Sequence, residues 1–120
     1  MNKSEFGKKG EELAAKFLKE QGFVIRVQNF RWARGEIDII AQKDDVLVFI
    51  EVKTSRFPSK FDAPETWVNP RKQKQIGKTA LKYLQENKIE NLDCRFDVIS
   101  VIYAFGNWYI KHIENAFWLA

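Results

Sequence analysis

Two strand-like segments separated by a short polar turn constrain the fold of this chain more than any other feature of its sequence. Residues 35–41 (GEIDIIA) show apolar alternation, and residues 46–54 (VLVFIEVKT) begin with five consecutive apolar side chains. Alternation with a period of two is typical of a half-buried strand, and a short apolar run is consistent with a buried one. The Lys-Asp-Asp sequence at 43–45 predicts a turn, so the two segments are expected to form a β-hairpin.

The remaining segments predict helices and strands on both sides of this hairpin. Apolar residues recur on one arc over 4–20 and over 71–87, which predicts two amphipathic helices. Ser4 is the expected N-cap of the first helix, and Gly22 marks its end. All three prolines lie in 57–70, which is expected to be a loop. The predicted order is α-β-β-β-α-β-β in one α/β or α+β domain over 1–120, with the other strands at 23–27, 95–103 and 107–113.

The cysteine and histidine content excludes several kinds of active site. Cys94 is the only cysteine and His112 the only histidine, which argues against zinc sites built from these ligands and against Ser-His-Asp catalysis. Any metal site must therefore rest on carboxylates. We expect His112 to be structural and Asp97 to pair with Arg95. With no disulfide possible within the chain, no visible signal peptide and no membrane-length apolar run, a cytoplasmic location is expected.

Three charged residues of the hairpin are the strongest candidates for chemistry. Glu51 and Lys53 lie two residues apart, so they should point to one face of their strand. Asp38 lies among isoleucines on the preceding strand, and a hairpin would bring it close to Glu51. Two neighbouring carboxylates repel each other unless a cation or a proton lies between them. Oxygen ligands suit Mg²⁺ or Mn²⁺. The alternative is a pair of ordinary surface ion pairs, Glu51 with Lys53 and Asp38 with an arginine.

The hairpin motif resembles a nuclease superfamily. The segments GEIDIIA at 35–41 and VFIEVKT at 48–54 are similar to the core of the PD-(D/E)xK nucleases. Shorter segments at 10–15, 22–23, 68–72, 83–84 and 95–98 extend the match along the chain, in order. The whole pattern resembles the YraN-like family, a bacterial group related to Holliday-junction resolvases. The resemblance implies a restriction-endonuclease-like αβββαβ core, a mixed central sheet flanked by helices. One departure is that Ile37 stands where the superfamily has proline before the aspartate.

The resemblance also implies roles for individual residues. Asp38 and Glu51 would be metal ligands, the Val52 main-chain carbonyl a further ligand, and Lys53 the catalytic lysine. Many superfamily members add a glutamate from the first helix. We expect this to be Glu11, with stabilisation of the helix N-terminus as the alternative role, because Glu12 lies on the solvent face with several lysines. Glu36 is interpreted as an ion-pair partner that could also touch the metal.

The basic residues predict a nucleic-acid partner. The chain has 20 basic and 16 acidic residues, and residues 69–84 contain five basic side chains and no acid. Spacings of three, four and four place one basic stripe on the second helix, opposite its apolar arc: Arg71, Lys74, Lys78 and Lys82. The stripe is interpreted as a phosphate-binding surface, with an ordinary solvated helix face as the alternative. Lys72 lies nearer the sheet and, with Arg56, is expected to contact DNA near the cut. Arg34 belongs to a segment, residues 31–34, that combines a tryptophan with two arginines; an exposed strand connection with a packed Trp32 is the alternative.

Three functions are consistent with these residues. The first is a Mg²⁺- or Mn²⁺-dependent endonuclease that cuts DNA with selectivity for structure. A homodimer would suit this function, because a branched junction is symmetric. The second is a non-catalytic DNA-binding module on a nuclease fold that works through a partner. The third is an RNA-processing nuclease, which the sequence does not separate from the first.

Overall fold

The described part of the chain contains two helices and five strands in the predicted order. The computed structural model describes residues 1–57 and 68–117. The elements are α1 (Lys3–Glu20), β1 (Val24–Trp32), β2 (Gly35–Lys43), β3 (Val46–Arg56), α2 (Pro70–Glu86), β4 (Asp93–Ala104) and β5 (Asn107–Phe117). Most of the loop predicted at 57–70 lies outside the described residues. No helix of the described residues is long and apolar enough to cross a membrane.

The first helix begins at Lys3, one residue earlier than predicted. Ser4 was the expected N-cap, and that expectation is wrong because Asn2 holds this position. The Asn2 side chain accepts a hydrogen bond from the main-chain N–H of Glu5 at 2.8 Å. Asparagine caps helices as well as serine does, because its side-chain oxygen can satisfy the same unpaired amide. The helix ends at Glu20 and is followed by Gly22, which has a positive φ of 92°.

The five strands form one mixed sheet in sequential order, β1-β2-β3-β4-β5. β3 and β4 are parallel, and the other neighbours are antiparallel. The parallel pair is continuous from Val46 opposite Asp93 to Arg56 opposite Tyr103. A parallel pair needs a crossover connection, which here contains α2. The apolar run that begins β3 therefore lies in the middle of the sheet, as its composition predicts.

Each face of the sheet is covered by one helix. Ala14 and Leu18 of α1 pack in one buried cluster with alternate residues of the central strands, such as Ile39 and Ile50. Ile76, Ala80 and Tyr83 of α2 belong to a second cluster with the other set of strand residues, such as Phe49. The predicted fold class is thus confirmed, since a mixed central sheet lies between two helices.

A buried carboxylate, Asp97 on β4, ties the far part of the sheet together. Arg95 Nε donates to both of its oxygens at 3.1 and 3.2 Å, and the main-chain N–H of Asn115 donates to it at 3.0 Å. His112 Nε2 lies 2.7 Å from its other side. Because a buried charge is costly unless it is hydrogen-bonded, these partners explain how Asp97 is accommodated. The expected pairing of Asp97 with Arg95 is confirmed, and the contact of His112 with this buried carboxylate is consistent with the structural role expected for it.

We expect Gly10→Ala to destabilise the protein by about 1–3 kcal/mol. A Cβ at Gly10 would lie 1.9 Å from Thr54 Oγ1 and 2.8 Å from Thr54 Cβ. Rotating the threonine side chain does not move its Cβ, so α1 would have to shift away from β3. Chemical denaturation measures the change. Gly7→Ala is the matched control, because nothing lies within 4 Å of its added Cβ and alanine favours a helix by about 1 kcal/mol. Equal effects of the two substitutions would contradict the close approach.

Candidate active site

The hydrogen-bonded ladder between β2 and β3 ends just before the candidate carboxylates. It pairs Lys43 with Val46 at the turn and continues to Ile39 opposite Ile50. One step further, the same register would place Asp38 opposite Glu51. There, Asp38 Oδ2 instead accepts the main-chain N–H of Val52 at 2.7 Å. The side chain of Asp38 thus supplies the acceptor that a main-chain carbonyl of β2 would supply in a continued ladder.

Glu51 is directed to the α2 face of the sheet. It is 7% exposed, and the Lys72 ammonium of α2 donates a hydrogen bond to its carboxylate. The helix brings this lysine into place because Asn69 caps it, accepting from the main-chain N–H groups of Arg71 and Lys72 at 2.9 and 3.2 Å. A nearly buried carboxylate is therefore already in contact with one cationic group.

Glu11 of α1 approaches the same two carboxylates from another element. A cavity of about 280 Å³ lies between α1 and the point where β2 and β3 separate, and Glu11, Asp38, Glu51 and Val52 all line it. Glu12, the alternative glutamate on this helix, is exposed to solvent. The structure therefore brings together Asp38, Glu51, the Val52 main chain and Glu11.

A fourth carboxylate, Glu36, is linked to this group through an asparagine. With its NH₂ group turned toward the acids, Asn29 donates to Glu11 Oε1 at 2.9 Å and to Glu36 Oε1 at 3.0 Å. Glu36 Oε2 also lies 3.5 Å from Arg31 Nε, as the ion-pair interpretation requires. Asn29 has a positive φ of 55° within β1, a conformation that asparagine tolerates better than most residues.

Burial and the charges of neighbouring carboxylates make ionisation of Asp38 and Glu11 unfavourable. Burial, the charge of Glu51, and smaller contributions from Glu11 and Glu36 raise the pKa of Asp38 from 3.8 to about 7, against the opposing hydrogen bond from Val52. Burial, together with the charges of Glu36 and Glu51, also raises the pKa of Glu11. Like charges held close together in a partly buried site are the arrangement that a bound cation relieves.

The pKa values of the two lysines next to Glu51 are shifted in opposite directions. Burial lowers the pKa of Lys53, and the Lys72 charge adds to this effect, although Glu51 opposes both. Burial disfavours the charged form of Lys72 too, but its hydrogen bond to Glu51 and the charges of Glu51, Asp38 and Glu36 outweigh it and raise the pKa. Lys72 is therefore held as a cation, whereas deprotonation is easier for Lys53 than for an ordinary lysine.

The donor atoms of this group suit a hard divalent cation. Within residues 1–57 and 68–117, no three carboxylate, histidine or cysteine side chains are arranged as a ready metal cage. Mg²⁺ does not need one, because it keeps several waters and binds through one or two carboxylates. Asp38 and Glu51 supply two such side chains, and the contact between Glu51 and Lys72 shows that positive charge is accommodated there. The residues therefore fit Mg²⁺ or Mn²⁺.

The predicted DNA-binding residues lie in three places. Three residues of the basic stripe are exposed on α2: Arg71, Lys74 and Lys78. The Arg56 guanidinium lies over the Phe6 ring, 4.1 Å from its centroid, so α1 and β3 share it. Arg34 lies in the turn between β1 and β2, beside Lys78 in a second cavity. Lys72, expected near the cut, is the one in direct contact with a candidate metal ligand.

Sequence reasoning missed two relationships at this site. No motif marks Asn29. Only its position in the edge strand β1 lets it reach both Glu11 of α1 and Glu36 of β2. Lys72 was assigned to DNA and not to Glu51. Its helical position, between the two faces of α2, is the signal that could have indicated a contact with the sheet.

A mixed five-stranded sheet between two helices, with acids where β2 and β3 part, defines a restriction-endonuclease-like α/β core. The family model described as uncharacterised protein family UPF0102 matches residues 10–101. The chain belongs to this family, which is the YraN-like family that the motifs indicated. It is 45% identical over 114 residues to a UPF0102 protein of Syntrophus aciditrophicus, covering 95% of this chain and 89% of that protein. It is 42% identical over 119 residues to one of Caldicellulosiruptor saccharolyticus, covering 98% and 100%.

Proposed function

We propose that the chain is a Mg²⁺- or Mn²⁺-dependent endonuclease that hydrolyses phosphodiester bonds of DNA and selects its substrate by structure. The observation that carries this proposal is the pair Asp38 and Glu51, held where β2 and β3 separate, with the Asp38 pKa raised to about 7. This arrangement disfavours ionisation of Asp38 when no cation is bound. A purely structural ion pair would have no need for such an arrangement.

The residues divide into those that hold a cation and those that act on the phosphate. Asp38 and Glu51 would bind the cation through side-chain oxygens, with the Val52 carbonyl and Glu11 as further ligands. When bound, such a cation supplies Lewis-acid polarisation of a phosphoryl oxygen. Lys53, on the same face of β3 as Glu51, would hold the attacking water or a phosphate oxygen, and its lowered pKa makes the neutral amine, the form that can take a proton from water, easier to reach.

The partner and location extend this proposal. The exposed cations of α2 would bind the phosphates of DNA. The protein would act in the cytoplasm, and a homodimer would match a symmetric junction. Light scattering on the purified protein, alone and with a four-way junction, would measure the subunit number.

A second candidate function is a DNA-binding module without catalysis that acts through a partner. The contact between Lys72 and Glu51 favours it, because a protein ammonium already neutralises one of the two candidate ligands. The two functions differ in one respect: a nuclease must release Glu51 from Lys72, or share it, when a divalent cation binds.

A cleavage panel tests the proposal. Labelled single-stranded DNA, duplex, flap, four-way junction and single-stranded RNA are incubated with the protein in Mg²⁺, in Mn²⁺ and in EDTA. We expect cleavage of a DNA form with either cation and none in EDTA. Preparations of Asp38→Asn, made in parallel, exclude a contaminating nuclease. Binding without cleavage of any form would support the non-catalytic module, and cleavage of RNA alone would support the RNA-processing alternative.

Neutralising two residues of the basic stripe should weaken the salt dependence of duplex binding. If Lys74 and Lys78 each contact a phosphate, the slope of log K against log salt flattens by roughly 0.9 per contact, or about 1.8 for Lys74→Gln with Lys78→Gln. Fluorescence anisotropy at several salt concentrations measures the slope. Lys16→Gln with Lys19→Gln removes the same charge from exposed positions of α1 and should change it less. Equal slopes for the two pairs would place the DNA elsewhere, along Arg31, Arg34 and Arg56.

A further inference from the structure

A cavity beside an exposed aromatic ring lies between the β1–β2 connection and one side of α2. It measures about 330 Å³ and is lined by Trp32 at the end of β1, Ala33 and Arg34 of the turn, Gly35 at the start of β2, and Gln75, Lys78 and Thr79 of α2. The Trp32 side chain is 41% exposed although it is large and apolar. Gly35 permits the close packing of turn and helix, since a Cβ there would lie 1.9 Å from Thr79 Oγ1. The cavity is thus held between two ordered elements.

The charges around this cavity are positive. Arg34 and Lys78 line it, and of the residues that the structure describes, no aspartate or glutamate does. The Lys82 ammonium lies over one face of the Trp32 ring, 5.8 Å from its centroid, and also 3.6 Å from Glu86 Oε1, so a base would stack on the other face or displace this lysine. An aromatic ring with cations beside it matches a nucleotide, whose base offers a flat face and whose phosphate carries negative charge.

Two elements connect this cavity to the candidate active site. Gly35 precedes Asp38 by three residues of β2, which is about 10 Å along a strand. Lys78 follows Lys72 by six residues of α2, which is about 9 Å along a helix. An extended strand of nucleic acid that follows β2 and α2 would therefore reach both places.

We propose that Trp32 is a stacking platform for an unpaired base of single-stranded DNA next to the cleaved bond, with Arg34 and Lys78 binding the flanking phosphates. That the occupant is DNA rests on the proposed function, because the cavity itself requires only a base and its phosphates. A duplex keeps its bases stacked inside and offers no free face to the indole, whereas single-stranded DNA does. The cavity would therefore select flaps, overhangs and other forms with unpaired bases over continuous duplex.

Binding measured without divalent cations tests this proposal independently of cleavage. Anisotropy titrations in EDTA use a labelled oligo-dT strand and a blunt duplex. We expect Trp32→Ala to weaken single-strand binding by about 5- to 150-fold and to leave duplex binding unchanged. Trp32→Phe should retain most of the affinity because it keeps an aromatic face. Tyr109→Ala is the matched control, since Tyr109 is a 52% exposed aromatic residue on β5, the opposite edge strand.

The possible outcomes separate this proposal from the nuclease proposal. Single-strand binding that depends on Trp32, in a protein that cleaves nothing, would overturn the nuclease and support the stacking platform. Single-strand affinity that is unchanged in Trp32→Ala, or lost equally for single strand and duplex, would overturn the platform whatever the protein cleaves. Circular dichroism checks the fold of each variant. If Trp32→Ala does not fold, tryptophan emission decides: oligo-dT should quench the wild type more than Trp32→Phe, and equal quenching would overturn the platform.

Discussion

Asp38→Asn is expected to abolish divalent-cation-dependent cleavage and also to make the protein more stable at pH 8. The amide oxygen can still accept the N–H of Val52, so the separation of β2 and β3 is preserved. The substitution removes the negative charge that burial and Glu51 make unfavourable. Loss of a cation ligand removes catalysis, while loss of repulsion strengthens the fold.

The sign of the pH dependence follows from the direction of the pKa shift. Asp38 has a pKa of about 7 in the folded protein against the ordinary 3.8, so the folded state binds the proton more tightly. Its contribution to stability therefore falls as pH rises from about 4 to 7 and is constant above that range. The cost at high pH is up to about 4 kcal/mol, and Asp38→Asn lacks it.

Thermal unfolding at pH 5 and pH 8, without divalent cations, measures this difference. We expect Asp38→Asn to exceed the wild type by more at pH 8 than at pH 5. Glu12→Gln is the charge-matched control on the exposed side of α1, and it should change neither stability nor cleavage. A variant that is less stable than the wild type at pH 8 would show that the Asp38 carboxylate is a structural partner of a protein cation such as Lys72.

Lys53→Ala is expected to lose about 10²- to 10⁴-fold in cleavage rate while keeping its affinity for Mn²⁺. The ammonium lies on the same face of β3 as Glu51 but supplies no oxygen ligand, so cation binding does not depend on it. Removing a charge that burial disfavours should also leave the melting temperature nearly unchanged. Single-turnover cleavage and calorimetric titration with Mn²⁺ separate chemistry from binding.

The charge-matched control for Lys53 is Lys16→Ala, which removes an exposed lysine from α1. It should change neither the cleavage rate nor the Mn²⁺ affinity. Cleavage by Lys53→Ala at the wild-type rate would remove this lysine from the mechanism. A large loss of Mn²⁺ affinity would mean instead that Lys53 positions the carboxylates, and its effect on rate would then be indirect.

The hairpin and its carboxylates could be predicted because their signals are local. Apolar alternation and a polar turn fixed the pairing register, which places Asp38 and Glu51 one step beyond Ile39 and Ile50. β1 is the opposite case. Its strand was predicted at 23–27 but continues to Trp32, because an edge strand with polar residues on its exposed face lacks the apolar pattern.

The contacts between elements could not be read from the sequence. The contact of Lys72 with Glu51 depends on how α2 lies across the sheet. The bridge from Asn29 to Glu11 and Glu36 likewise depends on three elements meeting. The choice of Glu11 over Glu12 is an intermediate case, since helical periodicity distinguishes a buried face from a solvent face without showing what the buried face touches.

The hydrogen bond from Val52 to Asp38 makes one main-chain proton a spectroscopic reporter of the site. Most amides at the centre of a sheet are bonded to a carbonyl, whose charge does not change with pH. The Val52 amide is bonded to a carboxylate with a pKa of about 7, so its nuclear magnetic resonance frequency follows the charge on that carboxylate. In ¹⁵N-labelled protein, a titration of this single resonance against pH, Mg²⁺ or oligonucleotide therefore reports on the charge at the site without a completed reaction.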